Sequence, residues 1–557
     1  MKKNPKAFWS YINSKTKLRP EIPDLFTTKD NDASKMTKND EEKAETLATF
    51  FSSVYTKEPE WMWVLDKKPD SDILHELKLD FNQKTISDKI KKLNPTKSSG
   101  PDRIHPRVLR EISEIITEPL YIIFRTSLNT NTLPRNWKEA NITAIYKEKG
   151  VKHEASNYRP ISLTSIVCKI MESIIRDAVI EHMRANKLLS EKQFGFLSGR
   201  STVLQLLIII DKWTEVMDRG GCLDVVYCDF QKAFDTVPHK RLIDVLQYYG
   251  INGSVLAWTK EFLSNRRQKV TVNGSASSWK DVISGVPQGS VLGPLLFVIY
   301  INLMVEVGVL SELYLYADDL KTFREIHDKD DVEQLQNDID RLYDWTKYSF
   351  LRFHPDKCTA MRINPSKCDL NCFYNIDKVK LKVNEVEKDL GVYIDMNLSF
   401  DEHIKVKVKK ANSLMGMIRR TFDYIDSDLF RLLFSSIVRP HLEYAAPVWN
   451  PHLQKHIDMI ENVQRRATKL VPGLKNLTYK ERLKQVKLPT LKYRRYRGDM
   501  LEMYKLTHSH YDNSAIKNFI QFNQNSHGHQ FTVDKERCNL DVRKFSFKPR
   551  VTDQWKY

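Results

Sequence analysis

The residues of this chain best suited to chemistry are an aspartate ending one apolar strand, Asp229, and an acidic pair inside a hairpin turn, Asp318 and Asp319. Carboxylates so placed suit a two-metal phosphoryl-transfer site. Mg2+ wants octahedral oxygen ligands and keeps several waters, so a few carboxylates plus substrate phosphates hold it. Two such ions roughly 3.5–4 Å apart activate an attacking hydroxyl and stabilise a leaving pyrophosphate. A lone aspartate at a strand end is ordinarily a turn former or a helix cap. The chemistry therefore depends on what positions the three acids.

The run from Leu223 to Phe230 alternates, with Leu223, Val225, Tyr227 and Asp229 on one face and Asp224, Val226 and Cys228 on the other. Pro238 and the period of Leu242, Val245, Leu246 and Tyr249 then predict a helix closed by Gly250. Leu313 to Ala317, the acidic pair, and Leu320 to Phe323 predict a tight hairpin with carboxylates at its tip. Upstream, helices are expected over Val108 to Ser127 and Ile161 to Met183, flanking a strand from Ala140 to Tyr146. Residues 1–80 read as a lysine-rich connector with a helix near Glu41 to Val54. Beyond Phe400 the chain turns helical and basic, through Lys405, Lys407, Lys409, Lys410, Arg419 and Arg420 to Arg465, Arg466, Lys469, Arg494, Arg495 and Arg497.

The 557 residues are 41% hydrophobic and 29% charged, a globular composition able to build a large core. Lys and Arg number 88 against 71 Asp and Glu, and a net charge of +17 favours a polyanionic partner, of which nucleic acid is the commonest. The first residues hold no apolar run after their lysines and so are not expected to act as a secretory signal. The apolar stretch from Leu292 to Met304 is too short to span a bilayer. Seven cysteines without regular pairing suit a reducing compartment. Cys358, Cys368 and Cys372 cluster without the spacing of a zinc site.

The stretches YCDFQKAFDTVPH (227–239), SGVPQGSVLGPLLFVIYIN (284–302) and YLYADDLKTF (314–323), in that order, resemble motifs A, B and C of reverse transcriptases. The likeness extends through KSSGPDRIHPRVL (97–109), NYRPISLTSIVCKIMESII (157–175), QFGFLSGRSTVLQLL (193–207), FHPDKCTAMRI (353–363) and EKDLGVYIDMNLSF (387–400). With RPHLEYAAPVWNP (439–451), the chain looks like the polymerase of non-long-terminal-repeat, LINE-type retrotransposons of the jockey-like branch.

That resemblance implies an α+β right-hand polymerase: fingers over 81–220, a palm with a mainly antiparallel sheet and motifs A to E over 221–400, and a helical basic thumb over 401–510. Residues 511–557 would be a C-terminal tail resembling a family ending cut short. Asp229 and Asp318 match the metal-binding aspartates, and Asp319 the second acid of the hairpin, for two Mg2+ ions with Mn2+ as an alternative. Lys357 matches a candidate general acid for pyrophosphate. Phe234 matches the aromatic ring that excludes a 2′-hydroxyl, and Gln288 and Gly289 lie where the family holds the nucleotide. Arg159, with Lys147 or Lys149, falls where the fingers neutralise the triphosphate, and Leu390 and Gly391 fall at the primer grip.

The implied partners are template RNA, a DNA primer and deoxynucleoside triphosphates, with no membrane and with endonuclease activity coming from elsewhere. The expected location is intracellular, in nucleus or cytoplasm. Two alternatives remain. One is an RNA-templated RNA polymerase, whose paired motif A acids Asp229 and Asp235 imitate, although Phe234 argues against it. The other is a catalytically inactive retroelement remnant kept for its basic surface.

Overall fold

Val225 and Val226 are neighbours on one strand, point to opposite faces, and are both fully buried. A strand apolar on both sides needs a paired strand at each edge and a packed layer above and below. The computed structural model describes residues 22–27, 35–59, 77–370, 373–517, 519–520, 533 and 536–555, and supplies both layers. Its principal strands are β1 (Glu139–Tyr146), β2 (Tyr158–Leu163), β3 (Leu223–Cys228), β4 (Arg266–Val272), β5 (Ser275–Ala276), β6 (Lys280–Val282), β7 (Glu312–Tyr316), β8 (Asp319–Glu325) and β9 (Thr359–Ile363).

The central sheet runs from the short strand Lys382–Val383 through β9, β3 and β8 to β7. All its pairings are antiparallel except that of Lys382–Val383 with β9. Leu223 and Val225 enter a core shared with the helix Thr202–Asp218 and the helices after residue 400. Val226 and Cys228 enter a second core with the helices Ile166–Ala185, His239–Tyr248, Gly293–Asn302 and Lys329–Ser349. The two-faced pattern expected of this strand is therefore realised, with one core on each side. Gly293–Asn302 is apolar nearly all round because it lies inside the second core, and no helix of the described residues is long and apolar enough to cross a membrane.

A second sheet joins β2, β1, β4 and β5, with β6 on β4. Here β1 is antiparallel to β2 and parallel to β4. The helix expected from Ile161 begins instead at Ile166. Pro160 has no amide to donate and sits in the edge strand β2, and Ser165 caps the helix by accepting from the Cys168 amide. Likewise the helix expected from Val108 is two, Pro106–Glu111 and Ser113–Thr130, broken where Ile112 leaves helical geometry. The helix Asp40–Ser52, read as part of a connector, is built into the second sheet's core. Its Ala44, Leu47, Ala48 and Phe51 bury against Ala140, Ile142, Val270 and Val272.

The region after Phe400 is helical as expected: Asp401–Thr421, Gln454–Ala467, Tyr479–Val486 and Leu491–Thr507 carry most of it. Lys405, Lys409, Lys410, Arg419, Arg420, Arg465, Arg466 and Lys469 are exposed along it. Two residues assigned to that cationic face do not belong to it. Arg495 is buried beside Asn450, and Arg494 grips Glu443 with two hydrogen bonds. Past residue 511 the chain folds back: Arg543 reaches Asp211 on the helix Thr202–Asp218, and Arg550 pairs with Asp499 at 3.0 Å.

Candidate active site

Asp229 follows β3, and its carboxylate is exposed and lies 3.7 Å from the Lys357 ammonium. Two backbone contacts hold it there. The His354 amide donates to the Asp229 carbonyl at 2.8 Å, and the Asp229 amide donates to Cys358 Sγ at 3.4 Å. Asp318 occupies the turn between β7 and β8, and Asp319 begins β8 opposite Tyr316. Because β8 pairs with β3, hairpin tip and strand end come to the same edge of the sheet. Burial, followed by the charge of Asp229, raises the Asp318 carboxyl above the usual range. Burial and the adjacent Asp318 push Asp319 up to about 6. Asp318 and Asp319 are thus each raised by burial and by a neighbouring carboxylate.

Cations face this cluster. Lys147, whose Nζ donates to the Ser156 carbonyl at 2.8 Å, is lowered first by burial and then by the neighbouring charges of Arg159 and Lys357. Arg159 is exposed on β2 and acts electrostatically on Asp318. Lys232, which sequence reasoning passed over, packs its ammonium 3.8 Å from the Phe50 ring centre, and burial pushes it down to about 8. Lys149 is exposed in the β1–β2 loop, and no contact joins it to the acids among the described residues.

Phe234 stacks on the buried Phe297 with ring centres 4.2 Å apart and meets the exposed Phe196 edge-on at 5.8 Å. Gln288 donates from its side chain to Asp235 at 2.9 Å, and its carbonyl accepts from the Ser162 amide at 2.8 Å. Gly289 has φ +123, and a Cβ there would sit 2.4 Å from the Ser162 carbonyl oxygen, so the turn closes on β2 only as glycine. Asp235 is thereby engaged with Gln288, and burial raises its carboxyl. Leu390 and Gly391 form the two-residue turn between the strands Val386–Asp389 and Val392–Asp395.

Gln193 is the other residue that spacing alone did not single out. It is fully buried, accepts from the Ala317 amide at 2.9 Å, and donates to the Ala317 carbonyl at 3.3 Å. Ala317 has φ +55 and immediately precedes Asp318, so a side-chain amide closes both backbone groups of a strained residue. The signal was its place in QFGFLSGR, whose role spacing could not reveal. Gln193→Ala removes the partner of three backbone groups, the Ala317 amide and carbonyl and the Gly195 amide, which donates to the Gln193 side chain at 2.7 Å, at a cost of about 1–3 kcal/mol each. The expected result is a lower melting temperature together with a fall in turnover of tenfold or more; a lower melting temperature with unchanged turnover would contradict it.

Residues 146–396 match the family model described as reverse transcriptase (RNA-dependent DNA polymerase). These residues are thus similar to reverse transcriptases. Among its relatives, the probable RNA-directed DNA polymerase from transposon X-element of Drosophila melanogaster is 27% identical over 418 residues, 71% of this chain and 44% of the relative. A probable RNA-directed DNA polymerase from transposon BS of the same species is 27% identical over 408 residues, 69% of this chain and 44% of the relative. The RNA-directed DNA polymerase from mobile element jockey, also of that species, is 26% identical over 412 residues, 70% of this chain and 43% of the relative. The chain thus spans less than half the length of these relatives. The matched segment runs from the end of β1 through the turn Leu390–Gly391 and contains all three acids.

The raised carboxyls give a pH prediction with a definite sign. Asp319 holds its proton more tightly folded than unfolded, because its ordinary value near 3.8 becomes about 6. Its cost to stability is therefore absent below pH 3.8, grows as pH rises through the folded value, and is complete above it. Asp319 keeps an exposed surface, so solvent reduces the effect. Without divalent metal, Asp319→Asn is expected to melt above the wild-type protein at pH 8, with the gap closing toward pH 4. A variant that melts at or below wild type at pH 8 would contradict the assignment.

Proposed function

We propose that this chain is an RNA-directed DNA polymerase of a non-long-terminal-repeat retrotransposon, transferring nucleotides from deoxynucleoside triphosphates to a primer 3′-hydroxyl on an RNA template. The observation that carries this reading is the meeting of Asp229, Asp318 and Asp319 at one sheet edge, opposed by Arg159, Lys147 and Lys357. In this reading the right hand has fingers over 81–220, joined through its packing by the helix Asp40–Ser52. The palm spans 221–400 and the thumb 401–510.

Among the described residues no three His, Cys, Asp or Glu side chains converge into a cage for a metal ion. A two-ion site needs no such cage, since substrate phosphates complete the coordination. The donor set fits: the three carboxylates supply hard oxygen ligands, and Asp318 and Asp319 repel each other and have raised proton affinity. When bound, two Mg2+ ions, or Mn2+ in their place, would supply a polarised 3′-hydroxyl and charge stabilisation for pyrophosphate. Asp229 and Asp318 would hold them, with Asp319 as the accessory acid. Arg159 and Lys147 draw the triphosphate in, Arg by a forked grip and Lys as a point charge. Lys357, beside Asp229, donates a proton to the departing pyrophosphate. Phe234, held by Phe297, closes the space that a 2′-hydroxyl would need. Gln288 and Gly289 bring the nucleotide-side turn against β2, and the turn Leu390–Gly391 supports the primer end.

The test is incorporation of dTTP on poly(rA)/oligo(dT) by purified protein with Mg2+. Metal-dependent incorporation supports the reading; its absence with both Mg2+ and Mn2+ favours the inactive remnant.

A further inference from the structure

Lys321 is a lysine where the sheet's interior should be apolar. It lies on β8 two residues after Asp319, therefore on the same face, and its side chain is 1% exposed. Its ammonium is hydrogen-bonded and ion-paired with Asp389, whose side chain is 3% exposed. Asp389 is the last strand residue before the turn Leu390–Gly391. A hydrophobic pair of similar volume would bury at least as favourably, because both charges must be stripped of water. Anchoring the hairpin does not by itself call for charge. What charge adds is direction: one ammonium and one carboxylate fix the register between two elements that no ladder of backbone hydrogen bonds joins.

The turn is held at its far side too. Leu390 and Gly391 have φ +44 and +88, a left-handed pair that leucine rarely enters. Tyr444 donates its hydroxyl to the Leu390 carbonyl at 2.7 Å, and its ring lies 3.1 Å from where a Gly391 Cβ would stand. The Tyr444 hydroxyl also meets Thr202 Oγ1 at 3.3 Å, at the start of the helix Thr202–Asp218. The turn is therefore fixed to β8 at its base and to the following helical region at its tip.

We infer that the buried Lys321–Asp389 pair is a positioning device that sets the turn Leu390–Gly391, and with it the primer 3′ end, in register with Asp318 and Asp319. This rests on the polymerase reading above. Neither residue touches substrate. Lys321 sits on the catalytic strand, Asp389 abuts the primer turn, and their contact transmits position from one to the other. Losing the register misplaces the attacking hydroxyl, which slows the chemical step and leaves nucleotide binding largely intact, since misplacement of about 1 Å costs on the order of a hundredfold.

The test compares wild type, Asp318→Asn, Lys321→Met, Asp389→Leu and the double variant Lys321→Met/Asp389→Leu by melting temperature, primer–template affinity and single-nucleotide kinetics. Either single variant leaves a buried charge unpaired, so both should melt early. The double variant is expected to recover melting temperature and primer–template affinity while kcat stays at least tenfold down and the dNTP KM stays within about threefold, the split that a positioning fault predicts. A double variant with wild-type kcat overturns the inference and leaves the polymerase reading standing, provided Asp318→Asn is inactive. No extension by wild type overturns both. Should the double variant fail to fold, Lys321→Arg carries the test: it keeps the charge but alters its reach, so reduced kcat in a stable protein supports the inference and wild-type kcat overturns it.

Discussion

Asp318→Asn is expected to lower template-directed incorporation by roughly a thousandfold or more while leaving primer–template binding within about twofold. The substitution removes a charge at nearly constant shape, so no cavity forms. What is lost is the charge that would hold a metal ion against the transferring phosphoryl group, several kcal/mol of transition-state stabilisation, and each 1.36 kcal/mol is tenfold in rate. Asp229→Asn should behave alike, with one difference: Asp229 also faces Lys357 at 3.7 Å, so its loss frees that ammonium. Since Asp318 is raised by burial and by Asp229, its neutral variant should melt no lower than wild type in chelator. Pre-steady-state incorporation, a binding titration and a melting curve on the same preparations check all three statements. Wild-type rates in either variant would contradict the role given to these acids.

Phe234→Ala is expected to lower discrimination between deoxynucleotides and ribonucleotides by tenfold or more, measured as the ratio of kcat/KM values. Phe234 lies between the buried Phe297 and the exposed Phe196, so its position is set by neighbours on both sides. Removing the ring opens space where a 2′-hydroxyl would collide, and a steric gate is the kind of specificity that truncation abolishes. The ring's packing is lost as well, about 2 kcal/mol for a half-buried phenylalanine. Phe234→Val, which retains more volume, should give a smaller change in the same direction. Unchanged selectivity in a folded variant would make Phe234 a packing residue only.

These two residues show how far the chain could be read in advance. Asp229, Asp318 and the strands that carry them were legible, because apolar alternation and an acidic turn are local signals with a fixed period. The alternation of β3 was legible in the same way, whereas the burial of both its faces, at Val225 and Val226, emerged only with the packed helices. Interactions between distant segments were not legible. Gln193 meets Ala317 across 124 residues, and Lys321 meets Asp389 across 68, and nothing local marks such pairs. The start of the helix at Ile166 was missed because Ile161 and Leu163 fit either a strand or a helix, and pairing with β1 decided it. Arg494 and Arg495 were read as surface charge because composition cannot tell a solvated arginine from one bound to Glu443 or buried beside Asn450. The helix Asp40–Ser52 was undervalued for a related reason: its small apolar face gains meaning only once β1 and β4 lie against it. Cys372, grouped by spacing with Cys358 and Cys368, lies outside the described residues.

The most direct test of the account is extension of a DNA primer on an RNA template of defined, mixed sequence, with Mg2+ and all four deoxynucleotides or all four ribonucleotides, followed by sequencing of the product. The account predicts DNA complementary to the template from deoxynucleotides, little product from ribonucleotides, and none from Asp318→Asn. Efficient extension with ribonucleotides in preference to deoxynucleotides, or undiminished extension by Asp318→Asn, would contradict it.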